Sequence, residues 1–529
     1  MSNFSIIIIL LTLVAILAQF TDRIKIPYPI LLVLVGMMLG MLPGLPVIPL
    51  APEVVFLIFL PPILYAAAWT TSWADFKAAK RPITLLAIGC VIFTTCAVAV
   101  VAKYFIPGFS WAEAFLLGAI ISPPDAVAAT SATKGLGVPK RIITILEGES
   151  LVNDATGLIA YKYAVAAVVT GMFSLGDASI NFFVVAAFGI LVGLVIGFIF
   201  KWIHQITPDN STTDTALTFL VPYIAYLVAE SFHVSGVLAV VTAGLYLSWH
   251  SSEIFSNRTR LQANGTWDTV IFFLNGIVFI LIGLQLHWVL REIQNFSFTE
   301  LLWYGTIVSL AVIIGRIIWV FPGAYVPRWL SKGIREREPD TNIRLVTLVS
   351  WSGMRGVVSL AAAMALPLTL ANGELFANRN LIIFLTFCVI FSTLVIQGLS
   401  LRPLIRLLKV KSDNREHEQE QATRVQIAGK IIEKIEEDYS LRLSDEVLNQ
   451  VKTKYEIRIQ RLRNDQAEGK LKEEQIAEFH AVQQELISIE RNFIIQMRKQ
   501  GKISDEVLRK IEYELDLEEV RLVLEKDKY

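Results

Sequence analysis

The first 410 residues of this 529-residue chain are poor in charge. They hold 45 of its 94 Asp, Glu, Lys and Arg residues, about 11% of those positions, against about 41% of the last 119. With 54% hydrophobic residues overall, that scarcity excludes a soluble protein of this size. Cysteine is nearly missing as well. Cys90, Cys96 and Cys388 sit in apolar stretches without metal-ligand spacing, so they read as packing residues. The formal net charge is zero and no basic patch has stacking aromatics beside it, which excludes a nucleic-acid partner. No His-Glu-x-x-His or supported two-aspartate signature occurs, which argues against a membrane-embedded protease or other enzyme.

Apolar runs of about 17–25 residues, the length that spans a bilayer, are plentiful. Thirteen are read: roughly 4–20, 28–42, 53–71, 83–105, 111–133, 141–169, 180–203, 214–231, 234–249, 267–290, 301–325, 343–368 and 380–408. The fold class is therefore an all-α polytopic membrane protein. Residues 1–410 form the transmembrane domain and 411–529 a charged helical tail. With the N-terminus outside, sixteen Lys and Arg fall in inside loops and only Arg291 and Arg379 in outside ones. That asymmetry orients the chain and puts the tail in the cytoplasm. The first span lacks a basic n-region and a small-residue cleavage site, so it reads as an uncleaved helix. Trp69, Trp111, Trp249, Trp267, Trp288 and Trp329 fall near span ends, as interfacial anchors do.

Two spans are broken by composition. The fifth holds Ser122-Pro123-Pro124-Asp125 at its middle; tandem proline removes two backbone donors. The twelfth holds Ser352-Gly353-Met354-Arg355-Gly356. Non-helical backbone at membrane depth is tolerated only where protein or a cavity satisfies it. The two spans lie seven apart and so run in opposite directions. That is the pattern of six-span inverted repeats in secondary transporters, with an ion site at the midplane.

Span six carries Glu147-Gly148-Glu149-Ser150-Leu151-Val152-Asn153-Asp154. A carboxylate at membrane depth costs roughly 2.5–3.5 kcal/mol on insertion scales and marks ion or proton paths. At about 100° per residue, Glu149, Asn153, Gly157, Ser150 and Asp154 share one arc of the helix. Gly157 leaves room there for a helix or an ion. Polar interhelical packing would suit Ser and Asn, but not buried carboxylates. Arg355 keeps its proton and needs a buried anion, which Glu149 or Asp154 can supply. The carboxylate left over can hold a proton or a small hard cation, which takes oxygen ligands. Asp154, Ser150, Asn153, Asp125 and carbonyls near Pro123 and Pro124 offer these. Glu147 stands toward the cytoplasmic mouth, where it gathers cations or pairs with Lys140 or Arg141. Arg316 reads as pairing structurally with some acid or as snorkelling, Lys162 as snorkelling or lining an outer vestibule, and Asp268 and Asn275 as interface residues.

These motifs resemble the monovalent cation:proton antiporter-1 family, the bacterial and eukaryotic sodium/proton exchangers. Glu149-Ser150-Leu151-Val152-Asn153-Asp154 is similar to its E-S-x-x-N-D string, Asp125 with the small residues after it to a D-P-V-A-type motif, and Gly353-Met354-Arg355-Gly356 to G-x-R-G. Leu60-Pro61-Pro62-Ile63-Leu64 and Ser235-Gly236-Val237-Leu238-Ala239 also fit. The resemblance implies Asp154 as the ion- and proton-binding carboxylate, with Asn153, Ser150, Asp125 and Pro124 contributing. It implies Asp154 and Ser150 on the transported Na⁺, and Glu149 as the partner of Arg355. Asn at 153 resembles the electroneutral members. A homodimer is implied, in which a core domain (about 83–169 and 301–408) moves against dimer spans (about 4–71 and 214–290). Pro123-Pro124 stands where archaeal members carry a threonine, a departure that bears on affinity or selectivity.

The expectation is an inner-membrane Na⁺(Li⁺)/H⁺ antiporter serving pH and sodium homeostasis, with K⁺/H⁺ or mixed exchange as the rival and no cofactor. In the tail, Leu443-Ser444-Asp445-Glu446 and Ile503-Ser504-Asp505-Glu506 read as helix starts, Ser as N-cap with acids in the first turn. The tail reads as a solvated helical domain that helps dimerisation, or as a regulatory one; no nucleotide-binding glycine motif supports a nucleotide ligand.

Overall fold

The structure is a computed structural model. It describes residues 3–24, 27–42, 55–133, 136–171, 175–207, 210–293, 296–337, 342–371, 373–410, 415–438, 452–453, 455–456, 473–500, 511, 514–520 and 522. The chain divides into two compact units, Met1–Ser412 and Asp413–Tyr529.

The first unit is built of helices. They are α1 (Asn3–Ile24), α2 (Tyr28–Gly40), a π turn (Val55–Phe59) running into α3 (Leu60–Thr70), the short α4 (Trp73–Ala78), and α5 (Lys80–Thr84), which passes through a π segment (Leu85–Cys90) into α6 (Val91–Phe105). Next come α7 (Trp111–Ile121), α8 (Ala126–Thr133), α9 (Lys140–Thr170), α10 (Leu175–Ile206), α11 (Ser211–Ser231), α12 (Gly236–Ile254), α13 (Asn257–Glu292) and α14 (Phe298–Leu330). The unit ends with α15 (Lys332–Arg337), α16 (Ile343–Trp351), α17 (Val357–Met364), α18 (Arg379–Ser392), a π turn (Thr393–Gln397) and α19 (Gly398–Leu408). Helical elements overlap all thirteen apolar segments, and among the described residues seven helical stretches, the broken α7–α8 counted as one, are long and apolar enough to cross a bilayer.

Local chemistry explains the ends. Ser110 caps α7 and Ser297 caps α14, each exchanging hydrogen bonds with the glutamate three residues on, which satisfies two of the free N–H groups at a helix start. The 31-residue α9 starts after Pro139 and stops at Gly171, whose φ of 71° suits glycine. It runs unbroken through the polar string of residues 147–154.

The helices pack in two groups. In one, α6 lies on α7 and α14, α7 on α9, and α14 on α16 and α18; in the other, α2 lies on α13, α3 on α12, and α12 on α10 and α11. The groups meet along α9 with α3 and α12, and along α13 with α17 and α18. Among the tryptophans, Trp111, Trp249 and Trp329 are exposed, as anchors are. Trp267 departs from that expectation. It is buried, stacks on Phe219, packs tilted against Tyr65, and donates to Thr218 Oγ1 at 3.0 Å. The side chain of Trp288 lies outside the described residues.

In the second unit, the described helices are α20 (Arg415–Asp438) and α21 (Glu473–Lys499). A small apolar cluster joins Ile487, Ile494, Leu515 and Leu522. Arg491 binds Asp516 at 2.7 Å and Glu519 at 2.9 Å. The helix starts expected at Ser444 and Ser504 lie outside the described residues.

Candidate functional site

Both composition breaks are breaks in the structure. Helix α7 ends at Ile121 and α8 begins at Ala126; α16 ends at Trp351 and α17 begins at Val357. The two interruptions touch, with the Asp125 N–H donating to the Met354 carbonyl at 2.7 Å. Backbone groups freed by one break are thus satisfied by the other, which is how irregular chain survives inside a helical bundle. The approach is close: a Cβ on Gly356 would collide with the Asp125 side chain. On α9, a Cβ on Gly157 would meet Pro123 Cγ at 2.8 Å. The room that Gly157 leaves is therefore taken by the broken α7–α8 segment.

The middle of α9 faces this crossing. Asn153, fully buried, donates its Nδ2 to the Pro124 carbonyl at 2.9 Å, and its Oδ1 has no partner among the described residues. Ser150 Oγ accepts the Ala126 N–H at 3.3 Å. Asp125 Oδ1 accepts the Val127 N–H at 2.8 Å, holding the start of α8. Asp154, 7% exposed, has no hydrogen bond among the described residues and borders a cavity of about 620 Å³. Asp125, Ser150, Pro124 and Glu147 line the same cavity. All of the expected ion-site residues therefore surround one space, except that Asn153 stands behind it, on Pro124. The far wall comes from α3 and α13. Asp268 and Asn275, read from sequence as interface residues, both line the cavity. Their spacing of seven places them on one helix face, a signal that only a known neighbour could interpret.

The expected Glu149–Arg355 pair is not formed. Glu149 is held by Arg316 of α14, Nη1 to Oε1 at 2.5 Å and Nη2 to Oε2 at 2.8 Å, with both side chains 1% exposed. Arg316 also donates to the Val349 carbonyl, from Nη2 at 3.2 Å. The reason lies in the α16 break. Helix α16 makes its last backbone bond from Ser352 to Leu348, so the next carbonyl, Val349, has no helical donor. Arg316 serves both the carboxylate and that helix end. Arg355 lies wholly buried within the break. Its N–H donates to Thr393 Oγ1 at 3.1 Å, while its three side-chain nitrogens have no hydrogen-bond partner among the described residues.

The other charged residues are placed as follows. Lys140, one of the partners considered for Glu147, bridges Asp75 at 3.2 Å. Lys162 bridges Glu230 of α11 at 3.2 Å, tying α9 to the second helix group two turns beyond Asp154.

Known proteins are similar to this chain. The family profile described as "Sodium/hydrogen exchanger, transmembrane" matches residues 8–407. A "Sodium, potassium, lithium and rubidium/H(+) antiporter" of Bacillus pumilus is 35% identical over 78% of this chain, a match that spans 62% of that relative's length. An uncharacterized Na⁺/H⁺ exchanger of Mycobacterium tuberculosis is 32% identical over 98% of this chain and 96% of its own. The low-affinity Na⁺/H⁺ antiporter NhaS1 of Synechocystis is 35% identical over 74% and 71%. The solved sodium proton antiporter MjNhaP1 of Methanocaldococcus jannaschii superposes with a TM-score of 0.62 over 77% of this chain and 98% of its own, at 20% identity, a likeness of fold. With a profile match across the whole helical bundle, and polar residues gathered where two broken helices cross, the chain belongs to the sodium/hydrogen exchanger family.

Proposed function

We propose that this protein is a secondary active antiporter that exchanges Na⁺ or Li⁺ for protons across a bacterial inner membrane, serving pH and sodium homeostasis. The observation that carries the reading is Asp154: a carboxylate with no hydrogen bond among the described residues, on a cavity, at the crossing of two broken helices. Such a carboxylate binds a proton or a cation, never both, and that competition couples the two fluxes. Asp154, Ser150 and Asp125 supply oxygens of the kind hard cations take. Asn153 Oδ1, without a partner among the described residues, is a further oxygen close by. Since Glu149 is neutralised by Arg316, Asp154 titrates without a fixed counter-charge of its own. With Asn rather than Asp at 153, beside Asp154, the site fits one cation per proton.

The cavity walls come from both helix groups, which suits alternating access by movement of the core group (α5–α9, α14–α19) against a dimer group containing α3 and α11–α13. Two broken helices of opposite direction fit an inverted repeat. Glu147, between Asp154 and the basic inside loops, fits an inner funnel, and the loop charges fit an N-terminus outside and a cytoplasmic tail. A homodimer fits the family.

A second reading, K⁺ or mixed-cation exchange, is favoured by the Bacillus pumilus relative, whose name includes potassium and rubidium. Purified protein in liposomes with an internal pH dye distinguishes the two. Proton efflux on adding Na⁺ or Li⁺, indifferent to a clamped voltage and absent in Asp154→Asn, is the expected result. A response to K⁺ alone moves the assignment to the second reading. No cation-driven proton flux at any pH removes both.

A further inference from the structure

A second buried ion pair lies in the other helix group. His204, in the last turn of α10, meets Asp214, in the first turn of α11, through Nδ1 and Oδ1 at 2.9 Å. The two side chains are 0% and 7% exposed. A carboxylate only accepts, so the imidazole donates from Nδ1. Its Nε2 is buried and has no hydrogen-bond partner among the described residues. Neither side chain lines the ion cavity.

The neighbouring charges are engaged elsewhere. On α10, Lys201 bridges Glu253 of α12 at 3.4 Å. His250 of α12 turns its Nδ1 to the Tyr246 carbonyl at 2.9 Å. Arg260 of α13 donates to the Phe255 carbonyl and to Asn257. Asp209, between α10 and α11, lies outside the described residues. Among the described residues, Asp214 has His204 as its one ion partner. A chain of contacts leads from the pair to the transport site. The His204 ring meets Phe255 edge-on, centroids 4.7 Å apart. Phe255 meets Trp69 of α3 at 5.7 Å, and Trp69 Nε1 donates to Asn264 Oδ1 of α13 at 3.3 Å. Trp69 and Asn264 both line the ion cavity.

We propose that His204 and Asp214 form a second proton-binding site, separate from the transport site, that regulates cation entry to the cavity. A proton adds to the Nε2 lone pair while the Nδ1–H stays on Asp214. The protonated state is a buried ion pair that ties α10 to α11. Loss of the proton leaves the carboxylate buried without a counter-charge, which is costly, and the joint between the two helices loosens. Phe255 and Trp69 pass that change to the cavity wall. Histidine is the side chain that changes charge between about pH 5 and 8, the range in which an exchanger serving pH homeostasis has to respond. The regulatory role rests on the transport reading above, and the loop charges place this end of α10 on the cytoplasmic side.

The test uses full-length protein carrying fluorotryptophan, in detergent, with fluorine NMR spectra recorded from about pH 5 to 8. Trp69→Phe identifies the Trp69 signal. That signal should shift with a protonation step in this range, and should do so in Asp154→Asn as well, where the transport carboxylate no longer titrates. His204→Gln keeps a donor for Asp214 but cannot take the charge, and there the shift should vanish. His250→Gln should leave it unchanged. In liposomes at saturating Na⁺, the ratio of fluxes at the two ends of the range should differ about fivefold between the unsubstituted protein and His204→Gln, the low end of couplings between sites. A Trp69 signal that ignores pH in the unsubstituted protein overturns the proposal, whether or not the histidine variants fold. A shift that persists in His204→Gln overturns it too, as does an equal loss in His250→Gln or an unaltered flux ratio. A Trp69 shift that follows His204 in a protein without cation-driven flux would sink the transport reading and leave the proton site standing.

Discussion

Glu149 of α9 and Arg316 of α14 form a two-pronged ion pair, 167 residues apart in sequence, and both are buried to 1% exposure. The same guanidinium closes the open end of α16 at Val349. One side chain thereby joins the helix bearing the ion-site residues to the helix whose break forms part of the site.

Removing Arg316 leaves a buried carboxylate uncompensated and a helix end open. Arg316→Ala should cost about 3–5 kcal/mol of stability. Arg355 makes no side-chain hydrogen bond among the described residues, so Arg355→Met removes a buried charge at little loss of bonding and should cost much less. Thermal unfolding of the two purified variants checks the order. A larger loss for the Arg355 change would restore the pairing read from sequence.

Asp154→Asn removes the group that titrates while keeping its shape. Exchange should fall to the level of empty liposomes, with expression and thermal stability retained. Full transport in this variant would dissociate Asp154 from the mechanism.

Asn153→Ala removes the donor to the Pro124 carbonyl and should cost about 1 kcal/mol, together with a rise in the cation concentration giving half-maximal flux. Asn153→Asp replaces that donor with an acceptor facing another acceptor, and adds a charge. If stoichiometry resides here, proton efflux in the aspartate variant becomes sensitive to clamped voltage; indifference would place stoichiometry elsewhere.

The Lys162 side chain is largely exposed at 58% and that of Glu230 partly so at 37%. A double-mutant cycle should give a coupling under about 1 kcal/mol in stability. Their importance is positional, because the pair joins the two helix groups that alternating access must separate. Lys162→Glu and Glu230→Lys should each alter the transport rate, and the double reversal should restore it. Unchanged flux in both single variants would count against a role in the cycle.

Gly356→Ala places a methyl group against the Asp125 side chain. Overpacking of this kind costs about 1–3 kcal/mol, and here the strain falls on a residue lining the cavity. Weaker cation dependence with little loss of expression is the expected outcome of the flux assay.

Much of this molecule is written in short-range pattern. Apolar run lengths gave the helical membrane architecture, because hydrocarbon forces each span to satisfy its own backbone. Pro123-Pro124 and the glycines around Arg355 marked both breaks, because they remove donors or loosen the helix locally. Helical periodicity grouped Ser150, Asn153 and Asp154 on one arc. None of these inferences reaches beyond a single helix.

Tertiary structure decided the rest. Two arginines lay at membrane depth, and nothing in the sequence fixed which one met Glu149. That depends on the register of α14 against α9 and on the orphaned Val349 carbonyl, which exists only because α16 stops where it does. Asp268 and Asn275 became cavity residues, and Trp267 a buried one, only when α13 was set opposite α9 and α3. Local chemistry determines where a helix begins, bends and turns its polar face. Which face meets which is settled by packing among residues far apart in sequence, and the chain order carries little sign of it.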